Sequence, residues 1–183
     1  MGKIIAVVSG KGGTGKTTFT ANTALALASM SQRVLCMDCD VTLRNLDLAL
    51  GLSDRALMDF SDVLAGRCTL AEAAVAHEKY PSLSLLTAPM ADRPLELSAF
   101  PTGTVHLVVG RVSKKVLRQL HTTIDDAIDA AGLPLLGVVP EDEDVPYCLN
   151  RGLVLREYNY YAARAYENIA KRIMGKKTPL MKI

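Results

Sequence analysis

The residues with the clearest chemical potential lie near the N-terminus, in the stretch KGGTGKTT at 11–18. Gly10 is followed by four residues and then by Gly15, Lys16 and Thr17, which is the spacing of a phosphate-binding loop. Glycines let successive backbone N–H groups turn toward a phosphate, while the lysine reaches its outer oxygens and the hydroxyl binds Mg²⁺. The pattern predicts a nucleotide site; a chance glycine-rich turn is the alternative. The residues expected at the nucleotide are Gly10, Lys11, Gly12, Gly13, Thr14, Gly15, Lys16, Thr17 and Thr18.

Such a loop must be held between a strand and a helix. The apolar run from Ile4 to Val8 is short, rich in Val and Ile, and bounded by glycine, which predicts a buried strand. The stretch from Thr18 to Met30 predicts a helix. The positive end of that helix would face the bound anion.

A second set of acidic residues follows the next predicted strand, Arg33 to Met37. Asp38 and Asp40 stand two residues apart, so an extended backbone would place both carboxylates on one face. The carboxyl end of a strand is where a doubly wound sheet places ligand chemistry. One carboxylate could hold a metal-bound water and the other could orient an attacking water. A polar exit from the strand explains the same pattern and stays open.

The loop KGGTGKT and the segment DVTLRNLDLALGL at 40–52 together resemble the MinD/ParA family of ATPases, and most closely its MinD branch. The resemblance implies ATP and Mg²⁺ as ligands and an ATP-dependent homodimer. It also implies a role for each residue. Lys16 would bind phosphate, Lys11 would reach the partner's nucleotide, and Thr17 and Asp38 would serve the metal. Asp40 would position the attacking water, and Asn45 would belong to the switch segment.

The same resemblance places the nucleotide base near the C-terminal strands. Gly110 and Arg111 stand where relatives often carry an Asn-Arg or Thr-Arg pair. The turn at Pro140, Glu141 and Asp142 resembles a turn whose backbone flanks the base in the family. The acidic run at 141–144 is otherwise a solvated loop.

The rest of the chain predicts an α/β fold, doubly wound, with a mostly parallel sheet and helices on both faces. Strands are expected at 82–88, 105–109 and 135–139, and helices at 54–65, 69–77, 113–131 and 158–174. The D-x-P-A-G motif of the family is missing from the sequence. In the family this motif ends a strand that lies beside the phosphate-loop strand. We therefore expect a central strand and helix to be missing near 95–104. Either the given sequence omits residues there, or the protein has an internal deletion.

Composition limits the alternatives for partners and location. The chain has 183 residues and a net charge of +2, which does not favour nucleic acid as a partner. Its four scattered cysteines, with no second C-x-x-C pair, favour a reduced cytoplasmic protein. We expect one ATPase domain at 1–174 and a basic tail at 175–183. The tail is either solvated or makes weak peripheral contact with the inner face of the membrane.

The resemblance implies a spatial switch in division-site placement that engages division-site regulators and is reset by hydrolysis. Two alternatives remain open. Without D-x-P-A-G the protein could bind nucleotide with little or no turnover. It could also serve chromosome partition or the control of flagellar number, which a long basic surface for DNA would support.

Overall fold

A computed structural model describes residues 2–90 and 103–181. The phosphate-loop segment leads into helix α1, and further helices and strands follow. The helices are α1 (Lys16–Ser29), α2 (Leu46–Ala49), α3 (Phe60–Leu64), α4 (Leu70–Ala73), α5 (Lys114–Gln119), α6 (Ile124–Ala131), α7 (Asp144–Leu149), α8 (Leu155–Tyr158) and α9 (Tyr160–Ile173). The strands are β1 (Val34–Met37), β2 (Val75–Ala76), β3 (Leu83–Leu86), β4 (Leu107–Val112) and β5 (Leu135–Pro140).

The strands of the described residues form two separate sheets. In one, β3 lies between β1 and β2, parallel to β1 and antiparallel to β2. In the other, β4 and β5 pair in parallel. The parallel pairings confirm the predicted α/β class. The single continuous sheet expected for a doubly wound fold is not formed by the described residues, because its centre is open.

The prediction of a buried strand at 4–8 was wrong. This segment has no strand pairing in the structure, and Ile4 and Val8 are 92% and 71% exposed. Leu35 and Met37 on β1 are also exposed. A strand is stable only when its backbone groups find partners. Among the described residues, no strand lies beside this segment.

The two sheets are packed against helices that join them into one body. Helix α1 packs on β1 and β3 through buried apolar residues such as Ala24 and Leu25. Helix α9 packs on β5 and on α1, where the rings of Phe19 and Tyr166 lie 6.4 Å apart. At the end of α9, the Lys3 ammonium donates to the Ile173 carbonyl, which anchors the N-terminal segment.

Several predicted helices are shorter than expected. The helix at 54–65 begins only at Phe60, because Asp59 caps it and forms a capping box with Asp62. The long helix at 113–131 is broken into α5 and α6, because Thr123 caps a new helix with Asp126. Only 70–73 of the predicted 69–77 helix is helical, so the expectation that His77 ends a helix was wrong: it follows strand β2. The proposed site of missing residues near 95–104 lies mostly outside the described residues.

The basic tail folds back on the domain instead of extending from it. The Arg172 guanidinium donates to the Thr178 carbonyl at 2.7 Å and to the Leu136 carbonyl at 2.9 Å. Met181 packs against the core formed around α9. Residues 176–181 are not helical. Within the described ranges, every helix is too short or too polar to cross a membrane.

Candidate functional site

The phosphate loop leads directly into helix α1. Gly15 is the N-cap residue, and both it and Gly13 have positive φ angles, of 93° and 70°, which suit glycine. A Cβ added to either glycine would meet nothing within 4 Å. No side chain caps α1, and its first turn carries no acidic residue. The first N–H groups of this 14-residue helix are therefore available to an anion.

The interior of the loop is organised by hydrogen bonds around Ser9. Its hydroxyl donates to the Lys11 carbonyl at 2.7 Å and accepts from Thr14 at 2.8 Å. The Lys16 ammonium donates to Ser9 Oγ at 3.2 Å and to the Lys11 carbonyl at 3.4 Å. Lys16 is half-buried and points across the loop, whereas Lys11 is exposed and contributes only its carbonyl to the loop. The two lysines therefore occupy different environments.

The two carboxylates after β1 are not on one face, contrary to expectation. Asp38 is buried, and its two oxygens accept the backbone N–H groups of Asp40 at 3.0 Å and Leu46 at 3.1 Å. Asp40 is exposed, because the chain leaves the extended conformation after Met37. Its Oδ1 accepts from the Thr42 hydroxyl at 2.7 Å and from the Leu43 N–H at 3.0 Å.

The electrostatic environments of the two carboxylates differ in the same way. Burial raises the pKa of Asp38, and its two backbone hydrogen bonds partly oppose that shift. The hydrogen bond from Thr42 is the largest cause of a lowered pKa at Asp40, and the Lys16 charge also contributes. The Lys16 charge thus acts on the Asp40 carboxylate, as the smallest of the causes of its lowered pKa.

The residues around the loop fit ATP with Mg²⁺. Phosphate would be held by the uncapped start of α1 and by Lys16, and the loop glycines leave space beside the backbone. Mg²⁺ usually keeps several waters and binds one or two protein oxygens plus nucleotide phosphates. Described residues contain no group of three or more acidic, His or Cys side chains that could hold a metal by themselves.

The residues expected beside the base form a second group at the ends of β4 and β5. A register irregularity in β4 contains Arg111, whose φ is +56°, and its guanidinium lies 3.4 Å from Glu141. Pro140 ends β5 and pairs with Val112. The Asp142 carboxylate accepts the N–H of Asp144 at 2.9 Å and so binds the backbone of the first residue of α7. Among described residues, no hydrogen bond or ion pair joins this group to the phosphate loop.

Sequence reasoning missed two residues that shape the site. Ser9 precedes the glycine pattern, and nothing in that pattern requires a hydroxyl there. Thr42 fixes the Asp40 carboxylate, and the spacing D-x-T is a signal for such a turn. Both lie within two residues of a position that the motifs singled out.

The phosphate loop at the start of a helix, parallel strands and an acidic switch after β1 define a P-loop nucleotide-binding α/β protein. Comparison with known proteins identifies the family within this class. Residues 5–155 match the model of the CobQ/CobB/MinD/ParA nucleotide binding domain. The chain belongs to this family.

Three of the most similar relatives are named for the MinD branch of this family. The septum site-determining protein MinD of Synechocystis is 30% identical, with 99% of this chain and 92% of that protein covered. The structure of the MinC:MinD cell division protein complex of Aquifex aeolicus matches with a TM-score of 0.84 and 26% identity, over 96% of this chain and 97% of that one. MinD of Pyrococcus horikoshii, solved with Mg-ADP, matches with a TM-score of 0.70 and 25% identity, over 91% and 93%.

The comparison with Synechocystis MinD also bears on the open centre of the sheet. The match runs over 247 aligned positions, although this chain has 183 residues. At least 64 of those positions therefore have no residue in this chain. A difference of that size is enough for a strand, a helix and their connections.

Proposed function

We propose that this protein binds ATP with Mg²⁺, dimerises in the ATP-bound state and acts as a spatial switch in division-site placement, with hydrolysis resetting it. The observation that carries the proposal is the phosphate loop at the uncapped start of α1, with Lys16 directed across it and Asp40 in its field. A solved relative holds Mg-ADP, which supports the same ligands here. The names of the relatives support the division-site role.

Each residue has a part in this proposal. Lys16 and the N–H groups of the loop bind the phosphates, and Thr17 meets Mg²⁺, which neutralises phosphate charge when it is bound. Asp40 orients the attacking water. The exposed Lys11 is free to extend toward the nucleotide of a second copy, since its own loop uses only its carbonyl. A twofold axis would give each site the partner's lysine.

The partners follow from the same reasoning. The solved complex of a relative with MinC supports a division-site regulator as a partner of the dimer. We place the protein in the cytoplasm, with weak peripheral contact at the inner face of the membrane through the tail. The basic residues Lys176 and Lys177 are exposed and would supply that contact.

A second function is favoured by the open sheet. The segment at 4–8, which leads into the phosphate loop, has no strand partner in the structure. A loop held on one side only would be less rigid than a catalytic site needs. The alternative is therefore a nucleotide-binding switch with little or no turnover.

Titration with fluorescent ATP tests the binding that both functions share. The wild-type protein, Lys16→Ala and Lys115→Ala are compared with Mg²⁺ present. We expect Lys16→Ala to bind at least about tenfold more weakly, because a charge-assisted phosphate contact is lost. Lys115→Ala changes an exposed lysine on α5 and should bind as the wild type does. Equal affinity for wild type and Lys16→Ala would refute the assignment of the loop, whereas binding without phosphate release would favour the second function.

A further inference from the structure

We infer that Asp38 is a positioning residue: its buried carboxylate clamps the segment 40–46 and thereby fixes Asp40, and it does not act as a metal ligand. The inference rests on the proposed function only where it concerns turnover. Asp38 is 7% exposed, directly after β1. One oxygen accepts the N–H of Asp40 and the other accepts the N–H of Leu46. The Asp38 side chain therefore binds the backbone at both ends of the segment 40–46.

The far end of the clamp is anchored in the core. Leu46 is 3% exposed and belongs to the hydrophobic cluster that α1, β1, α2 and β3 share. Because Leu46 cannot move without disturbing that cluster, the carboxylate that binds its N–H has a fixed reference point. The clamp therefore connects the exposed switch segment to the packed interior.

The near end of the clamp determines the position of Asp40. The Asp40 N–H is held by Asp38, its carbonyl accepts from Arg44 at 3.0 Å, and its carboxylate is held by Thr42 and Leu43. Both main-chain groups and the side chain of Asp40 are therefore engaged. The carboxylate near Lys16 is held in place before any ligand arrives, which is what preorganisation requires.

The same hydrogen bonds argue against a direct metal role. Mg²⁺ demands near-ideal octahedral geometry and is usually bound through one or two carboxylates plus nucleotide phosphates. Asp38 is buried, and each of its two oxygens already accepts a backbone N–H group. The contacts of this carboxylate are therefore those of a residue that holds the backbone.

Amide hydrogen exchange on the nucleotide-free and metal-free protein tests the clamp without using activity. Asp38→Asn keeps one acceptor oxygen but places an NH₂ group against the second backbone N–H. We expect exchange at the amide of Asp40 or Leu46 to become about tenfold faster or more, because a hydrogen bond to a charged group is lost. Asp47→Asn, which removes a neighbouring carboxylate bonded only to the Leu48 N–H, should leave both amides protected. Unchanged exchange in Asp38→Asn would overturn the inference.

A second readout separates the clamp from a metal role and from failure of the proposed function. The Mg²⁺ concentration that half-saturates ATP binding should be the same in wild type and Asp38→Asn, while kcat falls about tenfold or more and KM changes little. A raised Mg²⁺ requirement with normal exchange would overturn the inference in favour of a metal ligand. If the wild type binds no ATP, the proposed function fails, and the exchange result alone decides the clamp.

Discussion

The Lys16 ammonium lies 3.2 Å from the Ser9 hydroxyl, at the centre of the phosphate loop. The same hydroxyl donates to the Lys11 carbonyl and accepts from the Thr14 hydroxyl. The Ser9 side chain therefore connects three residues of the loop. The loop is therefore shaped by its own side chains in the absence of nucleotide. This arrangement reduces the ordering that ATP binding would otherwise require.

Replacing Ser9 with Ala should weaken ATP binding about two- to tenfold, because the neutral hydrogen bonds that preorganise the loop are lost. The effect should be smaller than that of Lys16→Ala, which removes the phosphate contact itself. Calorimetric titration with ATP and Mg²⁺ measures both. Ser29→Ala serves as the control, since that hydroxyl bonds to the Ala26 carbonyl at the far end of the same helix. An unchanged affinity in Ser9→Ala would show that the hydroxyl does not organise the loop.

Two glycines offer a matched test of the packing behind the switch segment. Gly51 follows α2 with φ +66°, and a Cβ there would lie 2.6 Å from the Gly152 carbonyl oxygen. Gly66 has nearly the same φ, +69°, but a Cβ there would meet nothing within 4 Å. Both Ala substitutions cost about 1–2 kcal/mol for the left-handed backbone. Gly51→Ala should cost about 1–3 kcal/mol more, because the backbones must separate.

Urea unfolding of the two variants and the wild type gives these free energies. The difference between the variants is the informative quantity, because the backbone term is common to both. Equal destabilisation would mean that α2 and the 150–153 segment are not packed as closely as the structure shows.

His77 should make the free energy of unfolding depend on pH. Its side chain is buried, and Nδ1 accepts the N–H groups of Lys79 and Tyr80. Burial lowers the pKa of His77 from its usual 6.5, although the charge of Glu157 opposes this. The folded state therefore binds a proton less readily than the unfolded state. Stability is full above about pH 6.5 and falls as the pH drops from there through the lower folded-state pKa.

Thermal unfolding between about pH 7.5 and about pH 5.5 measures this loss. In His77→Asn the amide oxygen can still accept a backbone N–H group, but the side chain does not titrate. The loss of stability between these two pH values should therefore be smaller than in the wild type. His121→Asn provides the control, because His121 is exposed and its φ of +48° suits Asn. A His77→Asn variant with the pH dependence of wild type would exclude His77 as its source.

The tail should bind anionic vesicles weakly and in a salt-sensitive way. Residues 176–181 are not helical, and Arg172 holds the carbonyl of Thr178. Each exposed basic residue near an anionic surface contributes about 1 kcal/mol. Changing both Lys176 and Lys177 to Gln should therefore reduce vesicle binding by roughly 30-fold at low salt.

Vesicle flotation at low and high salt tests this, with the pair Lys114→Gln and Lys115→Gln as a control of equal charge change on α5. Binding that resists high salt would mean that an apolar helix inserts. That result would contradict the folded-back tail.

Much of this architecture could be predicted from the sequence, because its signals are local. The phosphate loop, the helix after it and the strands β1, β3 and β5 were all confirmed. The incorrect predictions concern features that depend on the packing and pairing of residues distant in the sequence. The apolar run at 4–8 has every local property of a strand, but pairing depends on a neighbouring strand, and the described residues provide none. Spacing alone could not show that Asp38 turns inward while Asp40 turns outward, because that depends on the bend after Met37.

The break of the 113–131 helix was predictable in principle. Thr123 and Asp126 form a capping box, and the sequence spacing of those two residues was visible, but the surrounding apolar pattern suggested one long helix. The left-handed backbone of His121 completes the break.

Under the proposed function, ATP with Mg²⁺ drives two copies of the protein together through Lys11. Light scattering measures it directly, on the wild type and on Lys11→Ala and Asp40→Ala, each with ATP and with ADP. We predict that the wild type dimerises with ATP but not with ADP, that Lys11→Ala binds ATP but stays monomeric, and that Asp40→Ala stays dimeric because water attack is blocked. A wild type that stays monomeric with ATP, or a Lys11→Ala variant that dimerises normally, would contradict the claim.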